Sequence, residues 1–265
     1  MIHKDFTMKL PHLPQREEKP REKGIAMMMD KGLSLKETEG LIQVAGHLID
    51  FAKLGFGTSL VSNNVKEKVK LYRDAGIKVF VGGTLFEAFA IRNCINEYEK
   101  YIDELGLDAV EISDGSMVMQ HEKKCDYISY FSKNRIVLSE VGAKDASVET
   151  DHNMWVHHMD AELKAGSSYV IGEARESGTV GIFNRSGSAD TALIDDILGQ
   201  IPPEKVIWEA PLKQQQVWFI QLLGYNVNLG NIAPADIIPL ETLRLGLRGD
   251  TFFDFLPEEF QKFKL

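Results

Sequence analysis

One alternation constrains this chain more than any other feature: eight short apolar runs, each followed by a stretch of helical or polar character. The runs are GIAMMMD (24–30), IDFAKLG (49–55), IKVFVGG (77–83), DAVEISDG (108–115), RIVLSEVG (135–142), SYVIGEA (168–174), KVIWEA (205–210) and YNVNLGNI (225–232). Runs this short and this apolar read as strands buried on both faces. Between them the spacing predicts helices over 34–48, 65–76, 85–106, 119–133, 152–166, 190–200 and 214–224. Buried strands joined by helices make a parallel sheet, and eight βα units in 265 residues predict a single (β/α)8 TIM barrel. An open doubly wound sheet is the competitor. No strand–helix junction carries a GxGxxG or GxxxxGK[ST] phosphate loop, which disfavours it.

Residues 1–23 carry Pro11, Pro14 and Pro20 and lack periodicity, so they read as an N-terminal arm before a barrel spanning 24–265. Thirty basic against 39 acidic residues leave a formal charge of -9, which argues against a nucleic-acid partner. No apolar run approaches the ~20 residues of a membrane helix, and the first residues are not those of a secretory signal. The expectation is a soluble cytoplasmic protein with no membrane partner. Cys94 and Cys125 have neither metal-ligand spacing nor a disulfide framework.

Charge falls where each run ends. In order the ends carry Asp30, Lys53, Gly82–Gly83, Glu111 with Asp114, Glu140, Glu173, Glu209, and Asn228 with Asn231. In a parallel barrel all these ends meet on one face, where barrel active sites are built. Carboxylates gathered so closely repel unless a cation compensates, and a hard divalent ion such as Mg²⁺ suits oxygen ligands. The competing reading ties some of these carboxylates into ion pairs between strand and loop.

Two loops add cations. Lys144 follows Glu140 in EVGAKDA and can serve as an electrostatic anchor or a proton donor. The segment EARESGTVGIFNRSGS places Arg175, Ser177 and Gly178 together, a combination that can cradle a phosphate; RSGS also reads as a flexible surface loop. His157 and His158 lack an HExxH partner, and Met27, Met28, Met29, Trp208, Trp218 and Phe219 read as packing. Arg244 closes the last helix and is given a structural role.

Taken in order, DKGL (30–33), KLGFGTS (53–59), GGTLFE (82–87), EISDGS (111–116), SEVGAKDA (139–146), EARESG (173–178), EAP (209–211), NVNLGNI (226–232) and LETLRLGLRGDTF (240–252) resemble the phosphosulfolactate synthase family. The KPRxKG segment (19–24) is similar to its bacterial branch. The resemblance implies a (β/α)8 barrel, a carbon–sulfur lyase, and Mg²⁺-dependent addition of sulfite to phosphoenolpyruvate giving (2R)-3-sulfolactate 2-phosphate. It implies Lys144 as general acid and Glu111, Glu140 and Glu173 as metal ligands, with Asp30 and Asp114 as second choices. Lys53, Arg175, Ser177 and Gly178 are then expected on substrate anions, and a homo-oligomer is expected. Leu54, Phe56, Ala143 and Gly230 depart from the family's usual residues. The alternatives are a barrel that uses another nucleophile on a phosphorylated substrate, and a non-catalytic stress-associated homologue.

Overall fold

A computed structural model describes residues 10–142 and 151–265. Eight parallel strands form one sheet: β1 (Ala26–Asp30), β2 (Phe51–Leu54), β3 (Lys78–Val81), β4 (Ala109–Ile112), β5 (Ile136–Val141), β6 (Tyr169–Gly172), β7 (Val206–Glu209) and β8 (Leu229–Ile232). Their order is β3-β2-β1-β8-β7-β6-β5-β4, with every neighbouring pair parallel. The sheet curls until β3 and β4 lie side by side, a nearly closed (β/α)8 barrel. No ladder joins those two strands among the described residues. Side chains span the seam instead: the Gly83 N–H donates to Glu111 Oε1 at 2.6 Å, and Ser113 Oγ donates to Glu87 Oε1 at 2.5 Å.

The helices are α1 (Leu35–Ala45), α2 (Thr58–Val61), α3 (Val65–Asp74), α4 (Gly83–Ala90), α5 (Ile95–Leu105) and α6 (His121–Phe131), then α7 (His152–Ala165), α8 (Thr191–Leu198), α9 (Lys213–Leu223) and α10 (Ile237–Arg244). The single helix expected over 85–106 is two. A turn at Ile91–Cys94, with Asn93 left-handed at φ 54°, separates α4 from α5. No glycine or proline marks that turn; asparagine tolerates the conformation better than most residues.

Period-two alternation builds the interior. Ile25, Met27, Phe51, Phe80, Ala109, Leu138, Ile171 and Ile207 form a buried cluster inside the ring. Two residues further along five of these strands come Lys53, Glu111, Glu140, Glu173 and Glu209, on the same face and about 6.6 Å higher. An apolar floor therefore supports a charged layer. Outward residues such as Val110, Val137, Val170 and Trp208 pack beneath the helices. Gly230 makes room for the methionine run, since a Cβ there would lie 2.4 Å from Met27 Cε and 3.0 Å from Ile207 Cγ2.

The opposite end of the barrel is covered by the arm. Arg16 pairs with Glu241 at 2.9 Å and donates to the carbonyls of Gly24 (3.0 Å) and Tyr225 (3.3 Å). Arg21 pairs with Asp50 at 3.1 Å, and buried Arg244 donates to Tyr225 O and Val227 O, each at 2.7 Å. Burial alone would raise the Glu241 carboxyl, but Arg16, with Arg244 and Arg21, outweighs it and holds the group below the usual glutamate range. A depressed carboxyl stabilises the fold above its unfolded pKa, and that contribution is lost as pH falls through the folded value. Arg16→Ala is expected to cost ~3 kcal/mol, because it strands a mostly buried carboxylate, and to weaken the acid dependence of stability. Thermal melts of both proteins between pH 3 and 7 check this; superimposable melts would remove the arm from the stability of the barrel.

Candidate active site

The charged layer opens into a cavity of about 1040 Å³ at the C-terminal ends of the strands. Lys53 stands at its centre. Its ammonium lies 2.8 Å from Glu111 Oε2, 3.2 Å from Glu140 Oε2 and 3.3 Å from Glu209 Oε1. Burial opposes the charge, but Glu111, Glu140 and Glu209 together outweigh it, and the ammonium titrates well above the usual lysine range. Lys53 is the one buried cation among the described residues that line the cavity, against four buried carboxylates.

Three of those carboxylates converge. One oxygen each from Glu140, Glu173 and Glu209 lie within 4.8 Å of one another, the one potential metal-holding group among the described residues. Strand order explains it: β5, β6 and β7 are consecutive in the sheet, and each brings a glutamate to its C-terminal end. Glu209 is further fixed by accepting the Ala174 N–H at 3.0 Å. Asn231, left-handed at φ 56°, donates to Ala174 O at 2.9 Å and lies 3.5 Å from Glu209. Glu209 was visible as a strand-end carboxylate but was not among the expected ligands.

Glu111 faces Lys53 and the seam, where the amino end of α4 meets it through Gly83. The two second-choice carboxylates have other partners. Asp30 accepts the Gly32 and Leu33 N–H groups at 2.7 and 2.8 Å, the Tyr72 hydroxyl at 3.0 Å and the Lys68 ammonium at 2.9 Å. Asp114 pairs with Lys124 at 2.9 Å. Asn228 belongs to the other end of the barrel, where it accepts the Ile25 N–H at 3.0 Å and donates to Glu204 O at 3.0 Å; β8 begins one residue later.

Arg175 and Ser177 line the cavity on the loop after β6. Gly178 shapes that loop from behind: its N–H donates to Arg175 O at 2.7 Å and its carbonyl accepts Gln215 Nε2 at 2.8 Å. The segment is more than linker. It folds back through the Ala174–Gly181 and Phe183–Ala189 bridges, and a Cβ on Gly181, at φ 85°, would lie 1.9 Å from Glu173 O. Lys31 pairs with Glu176 across the rim, and Phe56 forms part of the cavity wall. Lys144 lies outside the described residues.

The geometry combines a compact all-oxygen donor group, a charged lysine beside it and an arginine at the rim. That arrangement can hold a divalent cation and a small polyanion together. A sequence model described as (2R)-phospho-3-sulfolactate synthase (ComA) matches residues 14–250. A protein of Bacillus subtilis (strain 168) named phosphosulfolactate synthase is 43% identical over 252 residues, covering 94% of this chain and 99% of its own length. One of the same name from Methanocaldococcus jannaschii is 44% identical over 239 residues, covering 87% and 94%. Among solved structures, 3-hexulose-6-phosphate synthase from Salmonella typhimurium superposes with a TM-score of 0.54 at 12% identity, covering 84% of this chain and 100% of that one. At that identity the likeness concerns the barrel alone.

Proposed function

Because the chain belongs to the (2R)-phospho-3-sulfolactate synthase (ComA) family, we propose that it joins sulfite to phosphoenolpyruvate, giving (2R)-3-sulfolactate 2-phosphate. The observation that carries this reading is the Glu140–Glu173–Glu209 group beside Lys53, a cation site next to a buried ammonium. Three buried carboxylates without nitrogen or sulfur donors suit a hard ion such as Mg²⁺. When bound, that ion supplies positive charge against which the substrate carboxylate is oriented and its growing negative charge is stabilised.

The remaining work falls to side chains. Lys53 pairs with Glu111, Glu140 and Glu209 and presents positive charge to the incoming anions. Arg175 and Ser177, which line the cavity at its rim, are the proposed receivers of the phosphate. Met29 and Phe56 wall the cavity with apolar surface, which reduces the water competing for the site. Sulfite sulfur bonds to C3 as the C2–C3 π pair moves toward C2 and the carboxylate, and a proton then arrives at C2. Nothing leaves; one C–S and one C–H bond form. Lys144, four residues beyond Glu140, is the proposed donor of that proton.

Purified protein with Mg²⁺, sulfite and phosphoenolpyruvate is the test, followed by ³¹P NMR. The enol-phosphate signal should be replaced by an alkyl phosphate ester only when sulfite is present. Binding of phosphoenolpyruvate without such a product would assign the barrel another nucleophile. No binding at all would favour a non-catalytic role.

A further inference from the structure

A second group of charges is buried on the helix side of β5, outside the cavity. Lys124 on α6 is 1% exposed. Its ammonium donates to the backbone carbonyl of Glu140 at 2.6 Å and to Asp114 Oδ1 at 2.9 Å, and lies 2.8 Å from Glu162 Oε1 on α7. Those three acceptors use the full donor capacity of a lysine. Glu162, fully buried, also meets His121 Nε2 at 3.2 Å. Burial opposes the charge on Lys124, but Glu162 and Asp114 outweigh it and hold the ammonium above the usual lysine range.

The register explains why a donor is needed there. The β4 ladder stops with Ile112 opposite Ser139, so the Glu140 carbonyl, on the β4 side, has run past its partner strand. The next carbonyl, of Val141, faces β6 and accepts the Glu173 N–H at 3.1 Å. A buried carbonyl left open would be costly, yet a hydroxyl or amide would satisfy it. A buried lysine with two carboxylates carries a desolvation penalty far beyond what one carbonyl requires. What it adds is a rigid tie from α6, α7 and the β4–α6 loop to the backbone unit of β5 whose side chain joins the cation group.

We propose that Lys124 is a positioning residue for Glu140, clamping its backbone so that the carboxylate stays within reach of those of Glu173 and Glu209. The inference rests on reading that trio as a cation site. Outer partners that orient metal ligands typically govern affinity or activity by ~10–100-fold.

Lys124→Met alone leaves Glu162 buried without its counter-ion and is expected to fold poorly, so the decisive protein is Lys124→Met/Glu162→Gln. Glu162→Gln alone, which keeps the lysine beside Glu140, is the background against which the double variant is read. Mn²⁺ serves as the probe, its binding followed by electron paramagnetic resonance, together with steady-state rates and a thermal melt. The double variant should melt a few degrees below its background, because the Glu140 carbonyl is left unpaired, but should also bind Mn²⁺ ~10–100-fold more weakly and lose kcat over a similar range with KM for phosphoenolpyruvate little changed. Equal Mn²⁺ affinity and equal kcat in the two proteins would overturn the proposal, as would a loss confined to melting temperature. Should the unaltered protein bind no Mn²⁺, the cation reading falls, and the kcat ratio alone decides for or against Lys124.

Discussion

Lys53→Met is expected to cost ~3–5 kcal/mol of stability, the usual penalty for removing one partner from a buried ionic group. The reason is the geometry around the ammonium, which lies within 3.3 Å of Glu111, Glu140 and Glu209. Without it, three buried carboxylates confront one another, and at least one should take up a proton at neutral pH. At roughly 2–4 °C per kcal/mol for a chain of this size, the melting temperature should fall by ~6–20 °C. The deficit should shrink under mildly acid conditions, where the carboxylates protonate, and also with excess Mg²⁺. In the unaltered protein the contribution of Lys53 holds through neutral pH, since its raised pKa means that it is lost only in strong alkali. A comparable penalty in the transition state corresponds to ~10²–10⁴-fold in kcat/KM. Loss of affinity for phosphoenolpyruvate would support the anchoring role; a fall in kcat alone would confine Lys53 to holding the carboxylates. An unchanged melt would refute the electrostatic argument altogether.

Glu209→Gln should separate charge from shape. The amide can still accept the Ala174 N–H that Glu209 takes at 3.0 Å, so the loop after β6 keeps its anchor. One negative charge disappears from a crowded group, so stability is expected to hold or rise slightly. Cation affinity should instead fall ~10²-fold, moving the Mg²⁺ dependence of the sulfite reaction to much higher concentration. In the same assay EDTA should abolish turnover of the unaltered protein, and Mg²⁺ should restore it. Full activity in chelator would remove the cation from the chemistry, and an unshifted Mg²⁺ curve would remove Glu209 from the site.

The barrel was legible because each strand is built on a short apolar run, and the charged layer because a glutamate or lysine sits two residues beyond an inward apolar one. Leu138 and Glu140, Ile171 and Glu173, and Ile207 and Glu209 all follow that rule. Which carboxylates converge was not legible. Grouping Glu209 with Glu140 and Glu173 while turning Glu111 toward Gly83 depends on strand order and on the seam beside β4. Asp30 shows the same limit: its partners Lys68 and Tyr72 come from α3, beyond any local pattern. Asn228 and Asn231 look equivalent in the sequence, but one precedes β8 and the other lies near its C-terminal end, so they serve opposite ends of the barrel.

The seam between β3 and β4 gives the barrel the mechanics of a split ring. Seven pairings lace the circle, and the eighth place is held by the contacts of Glu111 and Glu87 with Gly83 and Ser113. Looseness in such a ring is concentrated at its cut, and here the cut runs through a carboxylate that also pairs with Lys53. Glu111 is therefore shared between the closure of the ring and its charged layer, so a change that displaces it from inside the cavity also loads the seam.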